Sequence, residues 1–154
     1  KESYDKRLLN ETPKNGSPVI FCAMANQTPQ NRYDIVSFLM DEGEDLNGIN
    51  EEGETLFHIL FSRPKHIMEQ TVELTLILID EGVDINQLDA KHRVAIQYLI
   101  SHPKFTDEDF APLYDVIFKR CTLELNIKND WGYTPIELAQ KLPYRAELLK
   151  RMTK

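Results

Sequence analysis

The sequence predicts an all-α repeat solenoid, in which helix-turn-helix units stack on one another and are joined by β-hairpin-like loops. Similar segments recur along the chain: "MDEGEDLNGINEEGETLFHIL" (40–60), "IDEGVDINQLDAKHRVAIQYLI" (79–100) and "KRCTLELNIKNDWGYTPIELA" (119–139). Equivalent asparagines, Asn47, Asn86 and Asn126, are 39 and 40 positions apart. Regular self-similarity of this length is typical of stacked supersecondary units.

Each recurring segment predicts a pair of helices. Apolar residues at helical spacing precede a glycine, as Leu74, Leu78 and Ile79 do before Gly82. Gly43 and Gly82 suit the position just after a helix, where a positive φ costs glycine little. A short extended piece and a polar turn follow, and then a new helix. Its predicted starts are Thr55, Val94 and Thr134-Pro135.

The whole chain, residues 1–154, is predicted to form one repeat domain. We expect a capping helix over residues 1–12 and repeats over about 13–49, 50–88, 89–128 and 129–154. The segment "RAELLKRM" (145–152) reads as a closing helix that buries Leu148, Leu149 and Met152 and exposes Arg145, Lys150 and Arg151. Because terminal units of a finite stack carry a polar outer face, we expect a monomer.

Composition and charge narrow the classes of function. The chain has 18 Lys and Arg against 25 Asp and Glu, a formal net charge of −7. Nucleic acid and anionic membrane surfaces are therefore unexpected partners. No apolar run has the roughly 18 residues needed to cross a bilayer. Cys22 and Cys121 are expected to be small apolar core residues in a reducing compartment, so we expect a cytoplasmic protein; a disulfide between them is the alternative.

At these recurring motifs the chain resembles the ankyrin repeat family. The family's Gly-x-Thr-Pro-Leu-His-x-Ala signature is similar to "GETLFHIL" (53–60), "GYTPIELA" (132–139) and, more weakly, "GSPVIFCA" (16–23) and "HRVAIQYL" (92–99). Its Gly-Ala-Asp-Val-Asn element is similar to "GEDLN" (43–47) and "GVDIN" (82–86). The resemblance covers roughly residues 13–150.

The chain departs from the family pattern in spacing and in one repeat. The family period is about 33 residues, and the motifs here recur at 37 to 40. We assign the extra residues to longer loops between the two helices of a unit, at 26–34, 62–73 and 101–113. These loops are either a second binding edge or evolutionary drift. His92 replaces the signature glycine, so we expect the third repeat to be the least regular.

The candidate catalytic and metal-binding residues are assigned to the framework. His58 falls on the signature histidine, and the resemblance implies that its imidazole bonds to the backbone of the neighbouring loop. No pair of histidines has the i, i+4 spacing of a helical zinc site. The acidic segments at 41–47 and 80–86 have their glycine third rather than sixth, which does not match a calcium loop. We therefore expect no enzyme activity, no cofactor and no metal.

The remaining candidates for function are the hairpin tips, which in ankyrin-like stacks line a surface that binds other macromolecules. The first tip is assigned to Lys14, Asn15 and Ser17. The partner-binding residues predicted at the other three tips are Glu51, Glu52, Glu54, Lys91, Arg93, Asp130, Trp131 and Tyr133. The leading hypothesis is a non-catalytic scaffold for a protein or peptide partner. The alternative is an inhibitor, immunity or effector-type protein that modulates a partner enzyme through its acidic surface.

The only tryptophan, Trp131, carries two predictions. It either anchors a partner or folds back onto Lys91 or Arg93 and seals the neighbouring tip.

Overall fold

A computed structural model describes residues 18–154 of the protein, and this part of the chain is all-α. The α-helices are α1 (Pro18–Met24), α2 (Pro29–Asp41), α3 (Leu56–Phe61), α4 (Met68–Asp80), α5 (Ile96–Ile100), α6 (Asp107–Arg120), α7 (Pro135–Gln140) and α8 (Ala146–Met152), with a short 3₁₀ helix over Pro143–Arg145. Between residues 18 and 154 there is no β-strand. The predicted capping helix (1–12) and first tip (Lys14, Asn15, Ser17) lie outside the described residues.

The helices pack in two rows. The short helices α1, α3, α5 and α7 each contact the next in that order, and so do the second helices α2, α4, α6 and α8. The core takes fully buried side chains from both rows, among them Leu56 and Phe57 of α3, Leu78 of α4 and Phe110 of α6. Burying one such side chain stabilises the fold by about 1.5–3 kcal/mol. Because every helix contacts its successor in the row, the loops that join the pairs are brought side by side.

The two helix ends predicted at glycines agree with the structure. After α2 and α4, Gly43 and Gly82 have φ of 90° and 82°. The amide of Gly82 donates to the carbonyl oxygen of Ile79 at 3.0 Å, which closes the last turn of α4. The end of α6 lacks such a glycine, and Cys121 there is extended with φ −127°.

The starts of the short helices follow their capping residues. Thr55 and Thr134 cap α3 and α7, and each accepts a bond from the backbone of the first turn. The prediction that α5 begins at Val94 is wrong by two residues, because α5 begins at Ile96. Its N-cap is Ala95, which has no side-chain acceptor, and α5 is the shortest α-helix described, with five residues.

The loops between the helices of a pair are shorter than predicted. Helices α2, α4 and α6 begin at Pro29, Met68 and Asp107, inside the segments 26–34, 62–73 and 101–113. At α6 the reason is a reciprocal cap: Asp109 N donates to Thr106 Oγ1 at 3.1 Å, and Thr106 N donates to Asp109 Oδ2 at 3.0 Å. Part of each predicted loop segment is therefore helical.

The prediction that Arg145 is exposed is wrong, because its side chain is fully buried. Its guanidinium donates to the carbonyl oxygens of Ile100 at 2.8 Å, His102 at 3.1 Å and Phe105 at 2.9 Å. It also forms an ion pair with Asp107 Oδ1 at 3.0 Å. A buried guanidinium is tolerated only when its donors are satisfied, and these acceptors come from the end of α5, the loop that follows it and the start of α6. Leu148 and Met152 of α8 are buried as predicted.

The prediction that both cysteines lie in the core is wrong for Cys22, which is exposed. The inward positions of α1 are taken by Ile20, Phe21 and Met24, which leaves Cys22 on the outer side. Cys121 is half-buried against the core, and burial raises the pKa of its thiol. Both cysteines are free.

Between residues 18 and 154, none of the helices combines the length and the apolar character that crossing a membrane requires.

Candidate functional site

Three loop tips lie side by side and form the surface that we call the tip surface. It consists of Glu51–Glu54, Ala90–Arg93 and Asp130–Tyr133. Backbone hydrogen bonds join the tips: Ala90 N donates to Glu52 O at 2.8 Å, and Asp130 N donates to Lys91 O at 2.9 Å. The three tips therefore form a continuous platform in which each tip is hydrogen-bonded to the next one along the chain.

Each tip is closed by the side chain of an Asn or Asp. The Oδ1 atoms of Asn50, Asp89 and Asn129 each accept hydrogen bonds from the amides two and four residues further on, at distances between 2.8 and 3.2 Å. This arrangement mimics a backbone turn. These residues were not predicted from the sequence. Their signal was available, because each lies three positions before Gly53, His92 or Gly132.

The third residue after each closing side chain has a left-handed backbone. Gly53, His92 and Gly132 have φ of 75°, 61° and 88°. At Gly53 a Cβ atom would lie 3.1 Å from Ala90 N, so a larger residue would crowd the adjoining tip as well as strain the backbone. His92 occupies the same conformation at some strain, and its Nδ1 lies 2.7 Å from Asp130 Oδ1 on the next tip.

His58 belongs to the framework of the tips. Its Nδ1 accepts a hydrogen bond from Thr55 N at 3.0 Å, and its Nε2 donates to Arg93 O at 2.9 Å. Burial lowers the pKa of His58, so the imidazole stays neutral and both ring nitrogens are engaged. In the next short helix, α5, Gln97 has the equivalent position and accepts from Asn129 Nδ2 at 3.1 Å. Both side chains tie a short helix to the following tip.

Arg93 lies at the centre of the tip surface, between two aromatic rings. Its Cζ is 5.0 Å from the ring centroid of Tyr98 and 5.6 Å from that of Trp131. Its Nε donates to Asp89 Oδ2 at 2.8 Å. Lys91 adds a second cation, with Nζ 5.9 Å from the Trp131 ring. Cations within about 6 Å of a ring centroid are attracted by its π-system, so these contacts fix the arrangement of the guanidinium and the indole.

Trp131 has features of both its predicted roles, the anchor for a partner and the seal on the neighbouring tip. It contacts the neighbouring tip through Lys91 and Arg93, yet 59% of its surface is exposed. Leaving so much indole in water is unfavourable. The side chain is therefore held on one side and open on the other.

Tyr98 and Asp89 contact Arg93 on its inner side, and neither was predicted from the sequence. The Tyr98 hydroxyl donates to Asp89 Oδ2 at 3.0 Å and lies 3.4 Å from Glu54 Oε2. Burial raises the pKa of Tyr98, so it remains a neutral donor. Burial alone would raise the pKa of Asp89, but amide hydrogen bonds from Arg93 and Lys91 and the Arg93 charge lower it, so Asp89 is an anion. Tyr98 was missed because its equivalents, Ile59 and Leu138, are apolar.

The other predicted partner-binding residues have different surroundings. Glu51 and Glu52 are exposed and have no ion pair within residues 18–154. Glu54 is half-buried and accepts from Asn50 Nδ2 at 2.8 Å. Asp130 bonds to His92, and the half-buried ring of Tyr133 lies 5.0 Å from Lys141 Nζ. The structure thus brings Lys91, Arg93 and Trp131 together, with the acidic tip beside them.

In the part of the chain that the structure describes, no group of three or more His, Cys, Asp or Glu residues could hold a metal ion.

Comparisons with known proteins identify a shared fold. No protein-family model matches this chain, and no curated protein matches it either. Among solved structures, the chain is similar to one described as a functionally unknown protein from Leptotrichia buccalis C-1013-b. The TM-score is 0.79 at 29% sequence identity, and the match covers 98% of this chain and 79% of that chain. The similarity extends over nearly the whole length and indicates a common fold.

Proposed function

We propose that this protein is an ankyrin-type repeat solenoid that acts as a non-catalytic scaffold and binds a protein or peptide partner on its tip surface. Four features support the repeat assignment: the two rows of helices, the closing Asn or Asp in each tip, the left-handed residue three positions later and the hydrogen bonds from one tip to the next. These features recur with the spacing of the sequence motifs.

One observation carries the proposed function: Trp131 is 59% exposed on a platform whose backbone is held by hydrogen bonds. Aromatic residues contribute strongly to protein interfaces because they bury a large area at a low entropic cost. A fixed backbone also reduces the ordering cost of association. A partly exposed indole on a rigid backbone therefore suits a partner that covers its exposed side.

The charge of the chain favours a protein over a nucleic acid as partner. The net charge is −7, and the acidic tip with Glu51 and Glu52 borders the cationic one. Alternating charge around an aromatic residue gives specificity in protein recognition. We propose that the protein is a monomer on its own and acts in the cytoplasm, where its two free cysteines would stay reduced.

Affinity capture with matched variants tests this function. Wild-type protein, Trp131→Ala and Tyr144→Ala are used as baits in a lysate of the native source. Tyr144 is the control, because it is 55% exposed and lies in the 3₁₀ helix over Pro143–Arg145, outside the tip surface. The proposal predicts a partner that the wild type and Tyr144→Ala retain and Trp131→Ala loses. A partner retained equally by all three baits would contradict the proposed surface.

A second candidate function is an inhibitor, immunity or effector-type protein that modulates a partner enzyme. The observation in its favour is that Glu51 and Glu52 are exposed and unpaired within residues 18–154, and so could enter a basic active site. If the captured partner is an enzyme, this candidate predicts that adding the protein changes its rate of turnover and that the double substitution to glutamine abolishes the change. An unchanged rate under saturating binding leaves only the scaffold function.

A further inference from the structure

The guanidinium of Arg93 is held in place by contacts that leave its outer end free. One nitrogen, Nε, donates to Asp89, and the planar group lies between the rings of Tyr98 and Trp131. Within residues 18–154, the two terminal nitrogens have no hydrogen-bond partner, and 24% of the side chain is exposed. An arginine of this kind retains donors in a fork that matches the two oxygens of a carboxylate.

Asp89 does not accept hydrogen bonds from the two terminal nitrogens of Arg93. Its side chain is almost fully buried, at 1% exposure. Oδ1 accepts from the amides of Lys91 and Arg93, and Oδ2 accepts from Arg93 Nε and the Tyr98 hydroxyl. Asp89 therefore orients the guanidinium from below, while the outer donors stay available to another anion.

Lys91 adds an unpaired cation beside the same ring. Its Nζ lies 5.9 Å from the Trp131 centroid, and the side chain has no ion pair in the described range. Two cations thus flank an exposed indole on a protein whose net charge is −7. Cations that are not neutralised locally are available to an anionic group of a partner.

We infer that Arg93 and Lys91, beside Trp131, form a binding site for a carboxylate side chain of the protein partner. The inference rests on the proposed function and adds the chemistry of the contact. An aspartate or glutamate of the partner is received by the terminal nitrogens of Arg93 and by Lys91, and an adjacent apolar group of the partner covers the open side of Trp131.

The first test uses the fluorescence of Trp131, which is the only tryptophan in the chain and reports on this site alone. Iodide and caesium, at equal ionic strength, quench the emission of the wild type, Lys91→Gln and Lys104→Gln. Lys104 is the control, because it is exposed, lies in the loop before α6 and gives the same change in net charge. The expected result is stronger quenching by iodide in the wild type and Lys104→Gln, with the preference lost in Lys91→Gln. Stronger quenching by caesium in the wild type would overturn the inference.

The second test uses short capped oligoglutamate and oligolysine peptides, titrated against the wild type, Lys91→Gln and Arg93→Lys. Oligoglutamate should change the Trp131 emission saturably in the wild type. The change should weaken several-fold in both variants, because Lys91→Gln removes one of the two cations and Arg93→Lys removes the guanidinium fork. A response to oligolysine alone, or to inorganic phosphate but not to oligoglutamate, would refute the carboxylate assignment. Partner binding that is lost in Trp131→Ala and kept in Lys91→Gln and Arg93→Lys would also refute it, while the proposed function would stand.

Discussion

Alanine substitutions at Asn47, Asn86 and Asn126 should destabilise the protein to different extents, although the sequence makes the three positions equivalent. Asn86 links its loop to the segment after α6 twice: its Nδ2 donates to Thr122 O, and its Oδ1 accepts from Glu124 N, both at 2.8 Å. Asn47 makes one such link, from Nδ2 to Glu81 O at 3.0 Å. The side chain of Asn126 makes none within residues 18–154.

The magnitudes follow from the number of bonds. A hydrogen bond between protein groups contributes about 0.5–1.5 kcal/mol to stability after exchange with water. Asn86→Ala should therefore lower the free energy of unfolding by about 1–3 kcal/mol, and Asn47→Ala by about 0.5–1.5 kcal/mol. Asn126→Ala should stay within about 0.5 kcal/mol of the wild type, as substitutions at unpaired surface positions usually do.

Urea denaturation of the three variants and the wild type, followed by circular dichroism, measures these differences, provided that the slope with denaturant is unchanged. Asn126→Ala serves as the matched control, because it removes the same atoms from an equivalent position. Equal losses at all three positions, or the largest loss at Asn126, would refute the assignment of these side chains as links from one loop to the next.

Three further predictions concern single groups. Burial, with the charge of nearby Arg32, lowers the pKa of His66 to about 3, against about 6.5 in the unfolded chain. Below pH 6.5 the unfolded chain therefore binds a proton that folded His66 does not, and stability present at pH 7 is lost. By pH 5 the loss due to His66 reaches about 2 kcal/mol. His66→Gln should remove that part of the slope in a pH series of melts, while His58, whose pKa burial also lowers, keeps its own part; an unchanged slope would contradict this. His92→Val should lower the free energy of unfolding by about 1–2 kcal/mol, because a β-branched residue is strained at positive φ. His92→Gly should stay within about 0.5 kcal/mol of the wild type in urea denaturation. Equal effects of the two substitutions would show that the positive φ is not the cause of the loss. Arg145→Met should cost about 3 kcal/mol or more, since it leaves Asp107 buried without its cation; a loss below 1 kcal/mol, measured the same way, would refute that role.

Features that recur along the chain could be predicted from the sequence. The glycines after α2 and α4, the threonine caps of α3 and α7, and the position of His58 each occur in a repeated motif, so their local geometry follows from the pattern. The strained position of His92 was predictable for the same reason, because it replaces a glycine.

Contacts that occur once could not be predicted. Arg145 satisfies its guanidinium on carbonyl oxygens 40 to 45 positions away in sequence, and its charge alone indicated exposure. Tyr98 occupies a position that is apolar in the other units, so nothing in the pattern marked it as the support of Arg93. The candidate site was therefore located by the repeated tips, but its chemistry depends on side chains that differ between the tips.

The most direct test of the account is the dissociation constant of Trp131→Ala for the captured partner, measured by calorimetry together with the melting temperature of each protein. We predict a loss of affinity of about 2 kcal/mol or more, which is roughly thirtyfold in Kd, with a melting temperature within a degree or two of the wild type. An unchanged Kd with a lower melting temperature would contradict the account, because Trp131 would then stabilise the neighbouring tip and contribute nothing to binding.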